Sequence, residues 1–294
     1  MDPCNPSQLK ALLARYGFQF SKAKGQNFLI DASVPDRIAA SACDGRSGVL
    51  EIGPGVGSLT RRLCQASPKV VAIEADRSLE PLLQETMGEF DNLRVIYADA
   101  LKLDLEELAA REFPGQDAVV CANLPYYITT PAITALLEAK CFRSLTLMVQ
   151  KEVAQRICAP AGGRTYGAFS VFCQFHARPE ILFDVPPDCF MPRPKVTSSV
   201  IRLTRRTRPP CPVEDEKLFF RVVRASFNQR RKTLANGLSS GFPQWSKEEL
   251  TRVVTDCGFA ADVRGETLDL AGFAAVANGM RREGADGGMP TAGK

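Results

Sequence analysis

The chain has 294 residues, of which 45% are hydrophobic and 24% charged, with a formal net charge of +4. Those proportions are those of an ordinary globular protein, and the length suits one large domain or a large domain with a small one attached. No run approaches the ~20 uninterrupted apolar residues of a membrane span. The acidic start Met1-Asp2-Pro3-Cys4 lacks the apolar core of a secretory leader and the arginines of a transit peptide, so a cytoplasmic protein with no membrane partner is expected.

In chain order, an amphipathic helix is expected over residues 7–15, an ordered loop over 21–29, and a helix capped by Ser33 up to about residue 42. Apolar β-rich runs then fall at 49–52, 70–73, 93–97, 118–121 and 145–149, separated by helical patterns near 58–65, 79–87, 105–111 and 131–139. This alternation predicts βαβ units and a mostly parallel sheet covered on both faces. Two further strands are expected around 169–175 and 197–203, joined by a proline-rich stretch at 185–194. Residues 204–212, basic and rich in proline, read as a linker. Beyond it the pattern is helical only, with Phe219, Phe220, Val223 and Phe227 on one face, a capping box at Ser246 and Glu249, and a last helix over about 270–277. The glycine-rich tail 284–294 is expected to be disordered.

The ten cysteines include no C-x-x-C pair, and the single histidine, His176, has no ligand-rich neighbourhood, so reduced thiols serving as small core residues are expected and no metal site. Charge is unevenly distributed. Arg202, Arg205, Arg206 and Arg208 form one basic cluster, while residues 74–117 are rich in acids. In a second cluster, Arg221, Arg224 and Arg231 share a helix face, and Arg230-Arg231-Lys232 has no acid within a turn to offset it. These five cations, Arg221, Arg224, Arg230, Arg231 and Lys232, are the candidate RNA-phosphate contacts.

The first β-rich run enters Gly53-Pro54-Gly55-Val56-Gly57 and then a helix, a turn in which glycines let the backbone approach a ligand. A dinucleotide fingerprint wants a third glycine where this chain has Ser58. Glu51 precedes the first glycine by two residues, a poor neighbour for pyrophosphate but a suitable one for an ammonium and a sulfonium. Glu74, ending the second strand, can accept both hydroxyls of a ribose, and Asp99, ending the third, can accept from an adenine amino group or cap the following turn. Together these strand ends describe an S-adenosylmethionine pocket. The fourth strand ends in Asn123-Leu124-Pro125-Tyr126. An exocyclic amine must be drawn out of conjugation before it can attack a methyl group. The Asn123 side-chain carbonyl and the Leu124 backbone carbonyl can accept its two hydrogens. Pro125 fixes the turn and Tyr126 can stack on the flipped base. Positioning would supply the acceleration. The fold expected is therefore α/β, a Rossmann-like methyltransferase sheet over residues 1–204, with a small all-helical RNA-binding domain over 213–280.

Six segments occur in order: 25–29 (GQNFL), 51–55 (EIGPG), 123–126 (NLPY), 150–154 (QKEVA), 190–196 (FMPRPKV) and 227–232 (FNQRRK). In them the chain resembles the ribosomal RNA adenine dimethylases, the bacterial small-subunit branch in particular. The resemblance implies cofactor contacts at Asn27, Leu29, Gly53, Glu74, Asp99 and Asn123, and aromatic clamps on the target base at Tyr126 and Phe190. It further implies dimethylation at N6 of two adjacent adenosines in the 3′-terminal hairpin of 16S ribosomal RNA, on the pre-30S subunit, by a monomer. Tyr127 and Thr129 depart from the commonest family spelling, which bears on substrate detail. The alternatives are a macrolide-resistance type of methylase acting on 23S RNA, against which segments 227–232 and 264–268 (RGETL) speak, and an assembly factor without chemistry, against which the intact glycine loop and tetrapeptide speak.

Overall fold

The computed structural model describes residues 1–21 and 25–286. Residues 22–24 of the expected ordered loop and 287–294 of the expected tail lie outside them, whereas 284–286 belong to the last helix. The chain divides into two compact units, Met1–Ala154 with Arg178–Arg205, and Gln155–Ala177 with Arg206 onward. The segment Gln155–Ala177, placed by its sequence in the first domain, groups with the helical part.

In the first unit, α1 (Pro6–Arg15) and α2 (Ser33–Ala42) precede the sheet proper. Ser33 is not the cap of α2. It lies inside the helix and donates to Asp31, whose Oδ1 also accepts the Ser33 backbone N–H at 3.0 Å. A two-residue strand β1 (Phe28–Leu29) follows α1 in the chain. Then come β2 (Gly48–Ile52), α3 (Ser58–Ala66), β3 (Val70–Glu74), α4 (Glu80–Met87), β4 (Leu93–Tyr97), α5 (Leu105–Glu112), β5 (Ala118–Asn123), α6 (Thr129–Glu138) and β6 (Ser144–Gln150). After α7 (Lys151–Ile157) and α8 (Ala168–His176), the strands β7 (Ala177–Val185), β8 (Phe190–Met191) and β9 (Ser198–Arg205) complete the set. The seven-stranded sheet has the order β4-β3-β2-β5-β6-β9-β7, and β1 pairs with β8 antiparallel. β4 through β6 run parallel and β9 joins antiparallel to β6.

This order explains the sequence pattern. β2 and β3 are buried at every position, as central parallel strands covered on both faces must be. The chain moves from β2 outward to β4, then returns to the other side of β2 with β5. That reversal opens a crevice beyond the carboxyl ends of β2 and β5, where ligands bind in such sheets. Val34, Ile38 and Ala42 of α2, spaced at i, i+4 and i+8, pack with Leu59 and Leu63 of α3 and Val49 and Val119 of the sheet. Leu9, Leu12 and Leu13 of α1 pack with Phe28, Val56 and Leu79 behind the glycine loop.

Gly57 opens α3 at φ +89, and a Cβ there would lie 2.7 Å from Met87 Sδ. Both left-handed strain and a clash with a packed methionine oppose any side chain. Gly57→Ala is therefore expected to cost roughly 2 kcal/mol or more of stability. It should appear as a lower denaturation midpoint with an unchanged slope.

The second unit holds α8 and then α9 (Glu216–Asn228), α10 (Leu234–Gly241), α11 (Lys247–Asp256) and α12 (Leu270–Asp286). Its core includes Tyr166, Val171, Phe175, Phe219, Val223, Leu238, Leu250 and Phe273. The strand expected around 169–175 is a helix, capped where Gly167 N–H donates to Ser170 Oγ. The capping box at Ser246 and Glu249 is present, and Gly258 follows α11 at φ +86. All ten cysteines are free thiols, six of them buried. Among the described residues no helix is long and apolar enough to cross a membrane.

Candidate active site

A cleft of about 480 Å³ opens at the carboxyl ends of β2, β3 and β5, within the first unit. Its lining brings together Asn27, Leu29, Gly53, Glu74, Asp99, Asn123, Leu124, Pro125, Tyr126 and Phe190, all the site residues expected from the sheet half of the sequence. Glu51 lines it as well. Arg221, Arg224, Arg230, Arg231 and Lys232 belong to the other unit.

The glycine loop is shaped for close approach. Gly53 has φ +72, and a Cβ built on it meets no atom within 4 Å. A side chain at Gly53 would thus be strained and would occupy open space that the lining leaves to a ligand. Ser58, which breaks the dinucleotide fingerprint, is buried and donates to the Leu29 carbonyl at 3.0 Å. The hydroxyl thereby fastens β1 to the start of α3, a role glycine could not fill.

Four acidic side chains, Glu51, Glu74, Asp76 and Asp99, line the cleft in different states. Glu51 is 1% exposed, its Oε2 has no hydrogen-bond partner, and among the described residues it forms no ion pair. Burial pushes its carboxyl up to about 8; the Glu74 carboxylate adds to the effect and the Thr60 hydroxyl opposes it. Glu74 accepts the Asp76 backbone N–H at 2.7 Å on Oε1 and the Gly55 N–H at 3.2 Å on Oε2. Burial raises its carboxyl too, against those backbone bonds. Asp99 is half open to solvent and accepts the Leu101 N–H at 3.0 Å on Oδ1, so the capping use is realised, while Oδ2 faces Lys102 Nζ at 3.7 Å.

The tetrapeptide is held from two sides. Asn123 Nδ2 donates to the Asn27 carbonyl at 3.2 Å, and Asn27 Nδ2 donates to the Gly25 carbonyl at 3.1 Å. With its N–H spent on Asn27, the Asn123 amide is oriented so that Oδ1 remains as an acceptor. The Leu124 N–H donates to the Met148 carbonyl at 3.2 Å, and the Tyr126 hydroxyl is 3.0 Å from Ser198 Oγ at the start of β9. Phe190, 3% exposed, pairs with Leu29 across the short β1–β8 ladder and stands as a packed wall of the cleft. Sequence reasoning missed Gln26, whose Nε2 donates to Asp76 Oδ2 at 2.7 Å, and Ser198, because both partners lie far away along the chain.

The family described as ribosomal RNA adenine dimethylase matches residues 17–275. The chain belongs to this family. A relative from Geobacillus thermodenitrificans, "Ribosomal RNA small subunit methyltransferase A", is 46% identical over 284 residues, covering 95% of this chain and 97% of its own. Among solved structures, a dimethyladenosine transferase from Plasmodium falciparum superposes with TM-score 0.73 at 24% identity, covering 87% of this chain and 98% of that one. The 23S rRNA methyltransferase ErmE does so with TM-score 0.66, also at 24% identity, covering 86% and 99%. Those two likenesses establish the fold. The methyl donor in this family is S-adenosylmethionine, and the cleft suits it: the buried Glu51 carboxyl, with Oε2 unpartnered, can ionise against a cation, and Gly53 leaves room beside it. Bound there, the cofactor supplies an electrophilic methyl group on a positively charged sulfur.

The basic residues of the helical unit differ from their sequence reading. α9 ends at Asn228, so Arg230, Arg231 and Lys232 follow it in a turn rather than extending its face. Arg230 is also offset after all, by Glu266 at 3.3 Å, and it donates to the Arg164 carbonyl. Arg221 donates to the Gly241 carbonyl at 2.7 Å and lies 4.3 Å from the Phe242 ring centroid. Among the described residues no carboxylate pairs with Arg224, Arg231 or Lys232, and all three are exposed.

Proposed function

We propose that this chain dimethylates N6 of two adjacent adenosines in the 3′-terminal hairpin of 16S ribosomal RNA, acting as a cytoplasmic monomer on the pre-30S subunit. The observation that carries the reading is the orientation of Asn123, whose N–H is committed to Asn27 and whose Oδ1 is left for an amine. In the proposed reaction Asn123 Oδ1 and the Leu124 carbonyl accept the two amino hydrogens, turning the nitrogen lone pair out of the ring plane. Tyr126, anchored through Ser198, stacks on the extruded base, and Phe190 closes the other wall. The tetrapeptide contains no acid or histidine, so the proton released at N6 passes to water. A monomethylated amine keeps one N–H for one of the two carbonyls, which allows a second transfer. A dimethylated amine keeps none, which favours release.

Small-subunit RNA is favoured over large-subunit RNA by the 46% identity to a relative named for the small subunit. Incubating the chain with labelled cofactor and either undermethylated small subunits or large subunits tests the choice. Label in the small subunit alone is expected, and label in the large subunit alone would refute it.

For RNA contact the free cations Arg224, Arg231 and Lys232 are the stronger candidates, with Arg221 and Arg230 partly committed to the fold. Arg231→Glu with Lys232→Glu is expected to weaken RNA binding and reduce the slope of log affinity against log salt by about 0.7–0.9 for each phosphate no longer neutralised. Affinity for cofactor should stay unchanged. An unaltered slope would remove this turn from the RNA interface.

A further inference from the structure

Tyr127 has no part in the reaction just described, yet at 62% exposure it is the most exposed large apolar side chain among the described residues. It lines the mouth of the same cleft as Tyr126. The two tyrosines begin a single 3-10 turn, Tyr126–Ile128. Successive residues of such a turn project about 120° apart, at three residues per turn. One ring is therefore tied inward through Ser198 while the next stands outward. Support for the outward ring comes from one edge. A Cβ on Gly25 would lie 3.6 and 3.8 Å from its Cδ1 and Cε1, ordinary contact distances, so the Gly25 backbone runs alongside and leaves most of the ring in water.

We propose that Tyr127 is a stacking platform for the nucleobase next to the target adenosine. The inference rests on the reading of the cleft as a site for an adenine in RNA. When a base is extruded, its neighbour in the strand loses a stacking partner, and that unstacking is part of the cost of extrusion. One nucleotide step separates the neighbour from the base held at Tyr126. A tyrosine displayed one residue further along the same turn can replace the missing stack. The contact requires no hydrogen-bond pattern, since every base has a π-face. Tyr127 therefore aids capture of the splayed strand and does not touch the reacting nitrogen.

The test uses the full chain and undermethylated small subunits reconstituted with RNA that carries 2-aminopurine at one position beside the target adenosines at a time. Stacking quenches the fluorescence of this base. With the unsubstituted chain, quenching at one flanking position is expected on binding. Tyr127→Ala should abolish that quenching and raise KM for RNA by roughly five- to hundred-fold, the effect of losing one base–aromatic stack. Its kcat and its affinity for S-adenosylhomocysteine should hold. Tyr127→Phe and Tyr127→Trp should restore both KM and quenching. Unchanged KM and quenching in Tyr127→Ala would overturn the inference, as would failure of Tyr127→Phe to restore them. Absence of methyl transfer to adenine by the unsubstituted chain would instead overturn the reading beneath it.

Discussion

Replacing Asn123 with alanine is expected to lower methyl transfer by roughly 10²–10³-fold, the scale of removing one preorganised group that aims the reacting atom. The RNA and cofactor affinities should change little by comparison. The alanine variant removes the acceptor for one amino hydrogen and leaves the Asn27 carbonyl without its 3.2 Å donor. Asn123→Asp separates the two effects. It keeps an acceptor at the same place but presents a carboxylate oxygen, in place of an N–H, to the Asn27 carbonyl. Its activity should fall less than that of the alanine variant if acceptance is the main contribution. Single-turnover rates with saturating RNA and cofactor measure this. Turnover equal to that of the unsubstituted chain in Asn123→Ala would remove the side-chain carbonyl from the mechanism.

Cofactor binding near neutral pH is expected to release close to one proton, and Glu51→Gln should abolish that release. The buried Glu51 carboxyl sits at about 8, above the ~4.3 of an unperturbed glutamate. Without ligand, the folded chain holds this proton more tightly than the unfolded chain. That contribution to stability is fully present below ~4.3 and is lost as pH rises through about 8. A bound cation reverses the preference, because it favours the carboxylate. Affinity for the cofactor should therefore rise with pH up to about 8 and level off beyond it. Glu51→Gln keeps the shape but not the charge, and should bind roughly ten- to hundred-fold more weakly, as expected when a hydrogen bond to a charged group is removed. Calorimetry in buffers of different ionisation enthalpy reads the proton directly. An equal release from both proteins would assign the proton elsewhere.

The parallel sheet was legible because central strands such as β2 and β3 are apolar at nearly every position, with glycines bounding β2 and Pro68 preceding β3. Edge strand β7 was not, since its Arg178, Pro179 and Glu180 interrupt any apolar run, and an edge position tolerates them. The neighbouring segment Phe169–Phe175 misled in the opposite direction. Its aromatic and β-branched residues read as a strand, but Val171 and Phe175, four apart, bury one helical face in the core of the second unit. The extent of α12 beyond Ala277 was hidden by glycines that mark its last turns.

The residues of the cleft were legible because most of them sit at strand ends within short, recognisable turns. What fixes those residues was not. The Asn27 carbonyl reaches Asn123 across 96 positions and Ser198 reaches Tyr126 across 72, and no local pattern records either contact. The same holds for Glu266, 36 positions beyond the Arg230 it neutralises. Local charge counting left Arg230 free when the fold had already used it. The segment 264–268, read as a mark of the small-subunit branch, proves to be structural in this unit. Gly265 packs against Ser226 too closely for a Cβ, and the Leu268 carbonyl accepts the Tyr166 hydroxyl at 3.0 Å.

Transfer of two methyl groups to the amino nitrogen of adenine is the central property assigned to this cleft. Its most direct test is nucleoside analysis by mass spectrometry of small-subunit RNA from a strain lacking the endogenous activity, after incubation with the chain and S-adenosylmethionine. N6,N6-dimethyladenosine at two adjacent positions is the expected product, with N6-monomethyladenosine only as a transient. RNA with unmodified adenines, or with methyl groups on ring nitrogens or ribose oxygens, would contradict the assignment.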